Sequence, residues 1–187
     1  MSGQDGFIDA AMQRAIQLSA HAAAIGNEPF GAVVLIGDEI VGEGYNQARQ
    51  LLDPTAHGEV QAIRDACRKL GRLELDGCVL YTSCEPCALC IAAMAGVGIR
   101  KLYYAATLQA CEQLFAGAPA LGRAATDVAT LRAAAGAPGG GEVIASAQRS
   151  NTEALAVVAD WVRKKTAMES MREASITRSD NNQGGDA

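Results

Sequence analysis

The sequence has few aromatic side chains and no long hydrophobic run. Only 4% of its 187 residues are Phe, Trp or Tyr, so the core must be packed mainly from small side chains. The best candidate for a membrane span, the apolar stretch from Ile91 to Ile99, ends at Arg100 and is too short to cross a membrane. The segment from Met1 to Asp9 lacks the basic region and apolar stretch of a secretory signal. By default this predicts a cytoplasmic protein without a membrane partner.

The sequence also lacks an excess of positive charge. Its 16 Lys and Arg residues stand against 21 Asp and Glu residues, which gives a formal net charge of −5. Proteins that bind nucleic acids usually need a basic patch to contact the phosphate backbone. The net charge therefore disfavours nucleic acid as a partner.

Cysteine, by contrast, is concentrated in one short segment. Three of the 6 cysteines, Cys84, Cys87 and Cys90, fall within a single run of the chain. In a reducing compartment such residues are expected to be buried thiols, metal ligands or catalytic groups rather than disulfides. The chemistry of the protein is therefore expected at this cluster.

Hydrophobic periodicity and breaker residues predict an alternating α/β chain. The predicted elements are a helix over 5–25, strands over 32–36 and 40–45, a helix over 57–70, a strand over 79–82, a helix over 86–95, a strand over 99–105, a helix over 107–115, an edge strand over 143–147 and a helix over 152–168. This alternation indicates a mixed sheet covered by helices. Residues 116–141 are rich in Ala and Gly and are expected to be irregular, and the polar residues 170–187 are predicted to be a disordered tail.

Two motifs have the spacing of metal ligands. His57-Gly58-Glu59 opens one predicted helix, and Pro86-Cys87-Ala88-Leu89-Cys90 opens the next. Cysteines at i and i+3 share one helix face, and the helix N-terminus favours their thiolate form. His57, Cys87 and Cys90 are therefore predicted to bind Zn²⁺ and to leave its fourth position open for water, as catalysis requires. A closed structural site, with Cys84 as the fourth ligand, is the alternative.

Glu59 lies two residues after His57 in the first turn of the same predicted helix. At this position its carboxylate can lie beside the metal ion rather than bind it. We therefore predict that Glu59 is the catalytic proton shuttle, which takes a proton from water and gives it to a leaving group.

The combination of His-x-Glu with Pro-Cys-x-x-Cys resembles the zinc-dependent cytidine deaminase superfamily of base, nucleoside and nucleic-acid deaminases. The similarity runs from Phe7 to Thr107. It implies a three-layer, cytidine-deaminase-like α/β fold with a mixed sheet of about five strands, a single deaminase domain over residues 1–169 and a homodimer. It also implies a reaction in which activated water attacks a ring carbon that bears an amine, and ammonia leaves.

Longer stretches are most similar to bacterial guanine deaminases. They are Pro29-Phe30-Gly31-Ala32-Val33, Asp53-Pro54-Thr55-Ala56-His57 and Leu80-Tyr81-Thr82-Ser83-Cys84-Glu85-Pro86-Cys87. This resemblance implies that Asn46 hydrogen-bonds the substrate ring, that Phe30 packs against it and that the backbone of Ala56 contacts the base. The implied substrate is a small purine base or nucleoside, with guanine first.

Three alternatives remain open at this point. The first is a tRNA adenosine deaminase, because the Asp-Pro-Thr-Ala-His motif is also similar to that group. The second is a cytosine deaminase, because Gly58, where guanine deaminases usually have Ala, is similar to the residue in fungal cytosine deaminases. Phe115-Ala116-Gly117 stands where guanine deaminases carry a Phe-Asp-Asp stretch that contacts the purine, which implies a changed pocket edge. The third alternative is a zinc-stabilised interaction module without catalytic activity.

Overall fold

Helices and strands alternate along the chain in the predicted order. The computed structural model describes residues 3–116 and 145–181. The elements are α1 (Gly3–Ala24), β1 (Gly31–Ile36), β2 (Glu39–Tyr45), α2 (Ala48–Leu51), α3 (Gly58–Leu70), β3 (Cys78–Cys84), α4 (Ala88–Gly96), β4 (Lys101–Ala106), α5 (Leu108–Ala116), β5 (Ala145–Gln148) and α6 (Asn151–Asn181). Apart from Ala116, the region predicted to be irregular, 116–141, lies outside the described residues.

The strands form one five-stranded mixed sheet in the order β2-β1-β3-β4-β5. Strand β1 is antiparallel to both β2 and β3, whereas β3, β4 and β5 are parallel to one another. The carboxyl ends of β2, β3 and β4 therefore meet at the same edge of the sheet as the amino end of β1. In α/β proteins this edge is where ligands usually bind.

Helices cover both faces of the sheet, because successive strand side chains point to opposite sides. On β1, Ala32 and Val34 face a core shared with α3 and α4, whereas Val33 and Leu35 face a core shared with α1, α5 and α6. All four side chains are almost completely buried. The predicted three-layer α/β architecture, with a mixed sheet of about five strands between helices, is confirmed.

Two glycines on β2 allow α3 to lie unusually close to the sheet. A Cβ on Gly42 would overlap the backbone at Ala62, and a Cβ on Gly44 would overlap the backbone at Gly58 and Ala62. Strand residues with side chains would therefore hold α3 further away. The close packing brings the first turn of α3 up to the sheet edge described above.

The structure differs from the predicted boundaries at two places. Helix α6 continues to Asn181, so the predicted disordered tail over 170–187 is wrong for 170–181, and 182–187 lie outside the described residues. The chain has no Gly or Pro between Asn151 and Asn181, so nothing local ends the helix earlier. The predicted loop after β2 contains one short helix, α2, which ends at Leu51 and is followed by the C-cap residue Leu52 with a left-handed φ of 51°.

Among the helices of the described ranges, none combines the length and the apolar character needed to cross a membrane. A single domain over residues 1–169 stays a prediction.

Candidate metal centre and active site

The three predicted metal ligands lie at the starts of two helices. His57 is the N-cap of α3, and Cys87 is the N-cap of α4, each with an extended backbone conformation. Cys90 follows in the first turn of α4 and is buried. Because both helix N-termini are directed towards this place, their dipoles favour negative charge on the two sulfurs.

The distances between the three ligand atoms match those around a tetrahedral zinc ion. Nδ1 of His57 lies 3.5 Å from Sγ of Cys87 and 3.5 Å from Sγ of Cys90, and the two sulfurs are 3.7 Å apart. With Zn–S and Zn–N bonds of about 2.3 and about 2.05 Å, a tetrahedron has S–N and S–S edges of about 3.6 and about 3.8 Å. The residues therefore fit Zn²⁺, and His57, Cys87 and Cys90 form its binding site.

The protonation of the two thiols also suits a metal cation. Contact with Cys90, together with the neighbouring His57, lowers the pKa of the Cys87 thiol to about 3. Contact with Cys87, with burial, raises the pKa of the Cys90 thiol. The pair therefore keeps one proton, which a cation replaces when it binds.

Cys84 does not join the ligand group within the described part of the chain. Its Sγ lies 3.3 Å from Sγ of Cys111 in the core between β3 and α5, and both thiols are buried. The group of potential metal ligands consists of His57, Cys87 and Cys90. This arrangement favours the three-ligand prediction over a closed four-ligand site.

Glu59 lies beside the ligand triad and is buried, with 6% of its surface exposed. Its Oε2 is 3.3 Å from Sγ of Cys90, and its Oε1 accepts a hydrogen bond of 3.1 Å from Oγ1 of Thr82. Burial raises the pKa of this carboxyl above its ordinary value, because desolvation disfavours the charged form.

A cleft of about 340 Å³, including its solvent-open mouth, lies next to the triad. The described residues that line it are Phe30, Asn46, His57, Glu59, Cys84, Glu85, Cys87 and Leu108.

Two of the three predicted substrate contacts, Phe30 and Asn46, are thus in the cleft. The third, Ala56, is fully buried and is not among the lining residues. Its carbonyl accepts a hydrogen bond of 2.9 Å from the backbone N–H of Gln47.

The orientation of the Asn46 amide is determined by its neighbours. Oδ1 accepts a hydrogen bond of 3.1 Å from the backbone N–H of Ala48, and Nδ2 donates to Oε2 of Glu28 at 3.4 Å. The backbone N–H of Asn46 donates to the Phe30 carbonyl at 2.8 Å. Both side-chain contacts require the same amide orientation.

Sequence reasoning missed three residues of this site. Thr82 fixes Glu59 from β3, and Oε2 of Glu85 accepts a hydrogen bond of 3.0 Å from the N–H of Leu108, the first residue of α5. The signal that could have found Thr82 and Glu85 is a polar run, Thr82-Ser83-Cys84-Glu85, at the carboxyl end of a hydrophobic strand. Leu108 carries no such signal.

The fold and the site together define a zinc-binding α/β protein of the catalytic type, because three protein ligands leave one coordination position for a non-protein group. The buried carboxyl beside the triad is a further mark of this class. The chain belongs to the family described as cytidine and deoxycytidylate deaminase zinc-binding region, whose model matches residues 7–106.

Characterised relatives with two different activities are similar to this segment. The guanine deaminase of Bacillus subtilis is 46% identical over 97 residues, which are 51% of this chain and 62% of the relative. The tRNA-specific adenosine deaminase of Aquifex aeolicus is 41% identical over 81 residues, which are 43% of this chain and 54% of the relative. The chain therefore spans less than two thirds of the length of these relatives.

Solved structures agree with the fold. The crystal structure of the Bacillus subtilis guanine deaminase has a TM-score of 0.55 and 40% identity, and the match covers 56% of this chain and 68% of that one. A structure of guanine deaminase from Nitrosomonas europaea matches 82% of this chain and 84% of its own, with a TM-score of 0.65 and 23% identity. The second match supports the fold alone, and the predicted cytidine-deaminase-like fold is confirmed.

Proposed function

We propose that the protein is a zinc-dependent hydrolytic deaminase of a purine base or nucleoside, with guanine as the first candidate. One observation carries the proposal. The metal ligands His57 and Cys87 and the carboxyl of Glu59 open on the same cleft as Phe30 and Asn46. An apolar ring wall, an amide and a proton carrier are the groups that deamination of a planar base requires.

Zinc, when bound by His57, Cys87 and Cys90, supplies Lewis acidity that makes a water molecule a better nucleophile. Glu59 takes a proton from the attacking water. It gives this proton to the ring nitrogen next to the attacked carbon. Glu59 then takes the second proton from the hydroxyl that has been added to the ring and gives it to the exocyclic amine, so that the C–N bond breaks, ammonia leaves and a carbonyl forms on the ring. The raised pKa of the buried carboxyl suits this exchange, because a proton carrier works best when its pKa lies nearer the operating pH. Thr82 holds one oxygen of Glu59 in place.

Phe30 and Asn46 are the proposed groups that bind the ring. The half-buried Phe30 offers an aromatic surface for stacking. Glu28 and Ala48 hold the Asn46 amide in a single orientation, so it can present a fixed donor and acceptor to the base edge. A contact between the base and the backbone of Ala56 stays a prediction. The carbonyl of Ala56 can accept a second hydrogen bond besides the one from Gln47.

The test is ammonia release by zinc-loaded protein from guanine, guanosine, adenine, adenosine, cytosine and cytidine. We expect turnover of guanine or its nucleoside. Glu59→Gln should retain zinc and lose at least about 100-fold in turnover. Glu112→Gln, which makes the same change at an exposed position of α5, should keep both. If no purine is deaminated by fully loaded protein, the proposal is wrong.

The same variant separates an enzyme from a zinc-stabilised interaction module. Such a module would have no need of a carboxyl beside its metal, so Glu59→Gln would change none of its properties except stability. Turnover of cytosine alone would instead favour the cytosine deaminase alternative suggested by Gly58.

A tRNA adenosine deaminase is the second candidate, because the Aquifex aeolicus relative has that activity in its name. The net charge of −5 opposes binding to a phosphate backbone. Inosine formation in tRNA, with binding that weakens steeply as salt rises, would favour this candidate. Turnover of free guanine without tRNA binding would reject it.

We also propose that two copies of the chain form a homodimer. All nine residues of α4 are apolar, yet only Cys90 and Met94 are buried within the described chain, and Leu89 is 40% exposed. A second copy would cover this apolar face. Sedimentation should give a dimer, and Ala92→Glu on the exposed side of α4 should shift it to monomer. A monomeric wild-type protein contradicts the proposal.

A cytoplasmic location is likewise proposed. All six cysteines are free thiols, which is the state kept by a reducing compartment.

A further inference from the structure

Three aromatic rings form a row from the cleft to the last helix. The ring of Phe30, in the cleft wall, lies 6.2 Å from that of Phe115 with an interplanar angle of 63°. The Phe115 ring lies 5.7 Å from that of Trp161 at 83°. Both pairs have the edge-to-face geometry that aromatic rings prefer. We call Phe30, Phe115 and Trp161 the aromatic row.

The row crosses the boundary of the region shared with the family. The family match ends at residue 106, whereas Phe115 lies in α5 and Trp161 in α6. This chain has only 3 Phe and 1 Trp, so the row uses two of its Phe residues and its single Trp. Three of the few large aromatic side chains of this chain thus contact one another in series between the cleft and α6.

The two ends of the row lie in different surroundings. Trp161 is 4% exposed and packs with Phe115, Val162 and Ala23. It lies on the same helix as the buried Ala154 and Val158, and α6 packs against α1, α5 and β4. Trp161 is therefore held by the bulk of the fold.

Phe30, at the other end, faces the cleft. Its backbone is fixed, because its carbonyl accepts a hydrogen bond from the backbone N–H of Asn46 and its N–H donates to the backbone carbonyl of Glu28 at 2.9 Å. The ring of Phe115 packs against the Phe30 side chain and so restricts its torsions.

From this geometry we infer that Trp161 is a positioning residue for the base site: it holds Phe115, which in turn holds the Phe30 ring against the substrate. The inference rests on the proposed function, since it assigns Phe30 to the substrate ring. It makes the C-terminal helix, outside the shared family region, a determinant of how tightly the base is bound.

The first test separates KM from kcat. Stacking of Phe30 on the ring acts equally on substrate and transition state, so its loss should raise KM and leave kcat nearly unchanged. Trp161→Leu should raise KM for the accepted purine by about three- to tenfold, the factor that corresponds to an aromatic pair. Trp161→Phe keeps an edge-to-face partner and should restore KM to within about twofold.

A control variant removes buried volume from the same helix without taking a ring from the row. Val158→Ala lies one turn before Trp161 and is buried in the core beneath α6. It should lower stability and leave KM unchanged. If Val158→Ala raises KM as much as Trp161→Leu does, the effect is one of general loosening, and the inference is wrong.

A second measurement uses the wild-type protein and does not depend on whether a variant folds. Trp161 is the only tryptophan, so intrinsic tryptophan fluorescence reports on the far end of the row. Saturation with the accepted purine, or with its deaminated product, should change the emission or its quenching by acrylamide. Phe115→Leu should abolish that change while calorimetry still detects binding.

The outcomes distinguish the two proposals. If no purine binds or is deaminated, both the proposed function and this inference fail. If a purine is deaminated but saturation leaves Trp161 emission unchanged and Trp161→Leu leaves KM unchanged, only the inference fails.

Discussion

Cys84 and Cys87 lie three residues apart, yet their sulfurs have different surroundings. Sγ of Cys87 faces His57 and Cys90, whereas Sγ of Cys84 faces Cys111. We predict that Cys87→Ser loses most bound zinc and is less stable, because metal that binds only the folded state adds its binding free energy to folding. Cys84→Ser is the matched control and should keep one zinc per chain by elemental analysis. Equal loss of zinc in both variants would show that Cys84 is also a metal ligand and would contradict the three-ligand site.

The metal ligands and the proposed proton carrier could be predicted from the sequence, because their spacing along the chain determines their relative positions. His57 and Glu59 share the first turn of one helix, and Cys87 and Cys90 share the start of another, so their relative positions follow from helix geometry. Thr82 contacts Glu59 across 23 positions of the chain, and Glu85 contacts Leu108 across another 23. Those contacts depend on how β3 pairs with β4 and how α3 packs on the sheet, which spacing along the chain does not specify.

At the scale of elements, the close approach of α3 to β2 positions His57. We predict that Gly44→Ala lowers the free energy of unfolding by about 1–3 kcal/mol, because its Cβ would overlap the backbone of α3 and force the helix outwards. Zinc affinity should fall as well, since His57 caps that helix.

The matched control for this prediction is Gly96→Ala. A Cβ at Gly96 meets nothing within 4 Å and Ala favours a helix over Gly, so this variant should be at least as stable as the wild type. Urea unfolding and zinc titration check both variants. A Gly44→Ala protein that is more stable than wild type would show that strand propensity outweighs the packing at this site.

Element order followed from periodicity, but the ends of elements were less well predicted. Helix α6 continues past the predicted end at residue 168 to Asn181. This segment contains good helix formers such as Met171, Arg172 and Glu173, whereas its polar composition alone predicts disorder. Strand β5 begins at Ala145 within the described residues, close to the predicted edge strand. It pairs with β4 in parallel. A run of four residues predicts neither which strand it pairs with nor whether the pairing is parallel or antiparallel.

At the scale of the whole molecule, one ionic network connects elements from opposite faces of the sheet. The guanidinium of Arg14 on α1 forms two hydrogen bonds of 2.7 and 2.8 Å with the carboxylate of Glu43 on β2. The backbone N–H of Glu43 donates to Oδ2 of Asp65 on α3 at 3.0 Å, and Lys69 forms an ion pair with the same oxygen at 2.8 Å. Glu43 thus lies between the two helical layers.

This network predicts a pH dependence of stability. The hydrogen bonds from Arg14 lower the pKa of Glu43 below its ordinary value. A carboxyl with a lowered folded-state pKa stabilises the fold above its unfolded pKa of about 4.3 and loses that contribution as pH falls through the folded value. At pH 7, Glu43→Gln should therefore be less stable than wild type, by at most about 1 kcal/mol because both side chains are partly exposed.

The two proteins should approach equal stability as the pH falls through the lowered pKa of Glu43, because the wild-type carboxylate then becomes protonated. Urea unfolding over this range measures the difference between them, and protonation of the zinc ligands affects both alike. Glu112→Gln, which removes the charge of an exposed carboxyl group on α5, is the control and should follow the wild-type curve. A difference between Glu43→Gln and wild type that persists unchanged at low pH would show that the side chain stabilises the fold through packing rather than through its charge.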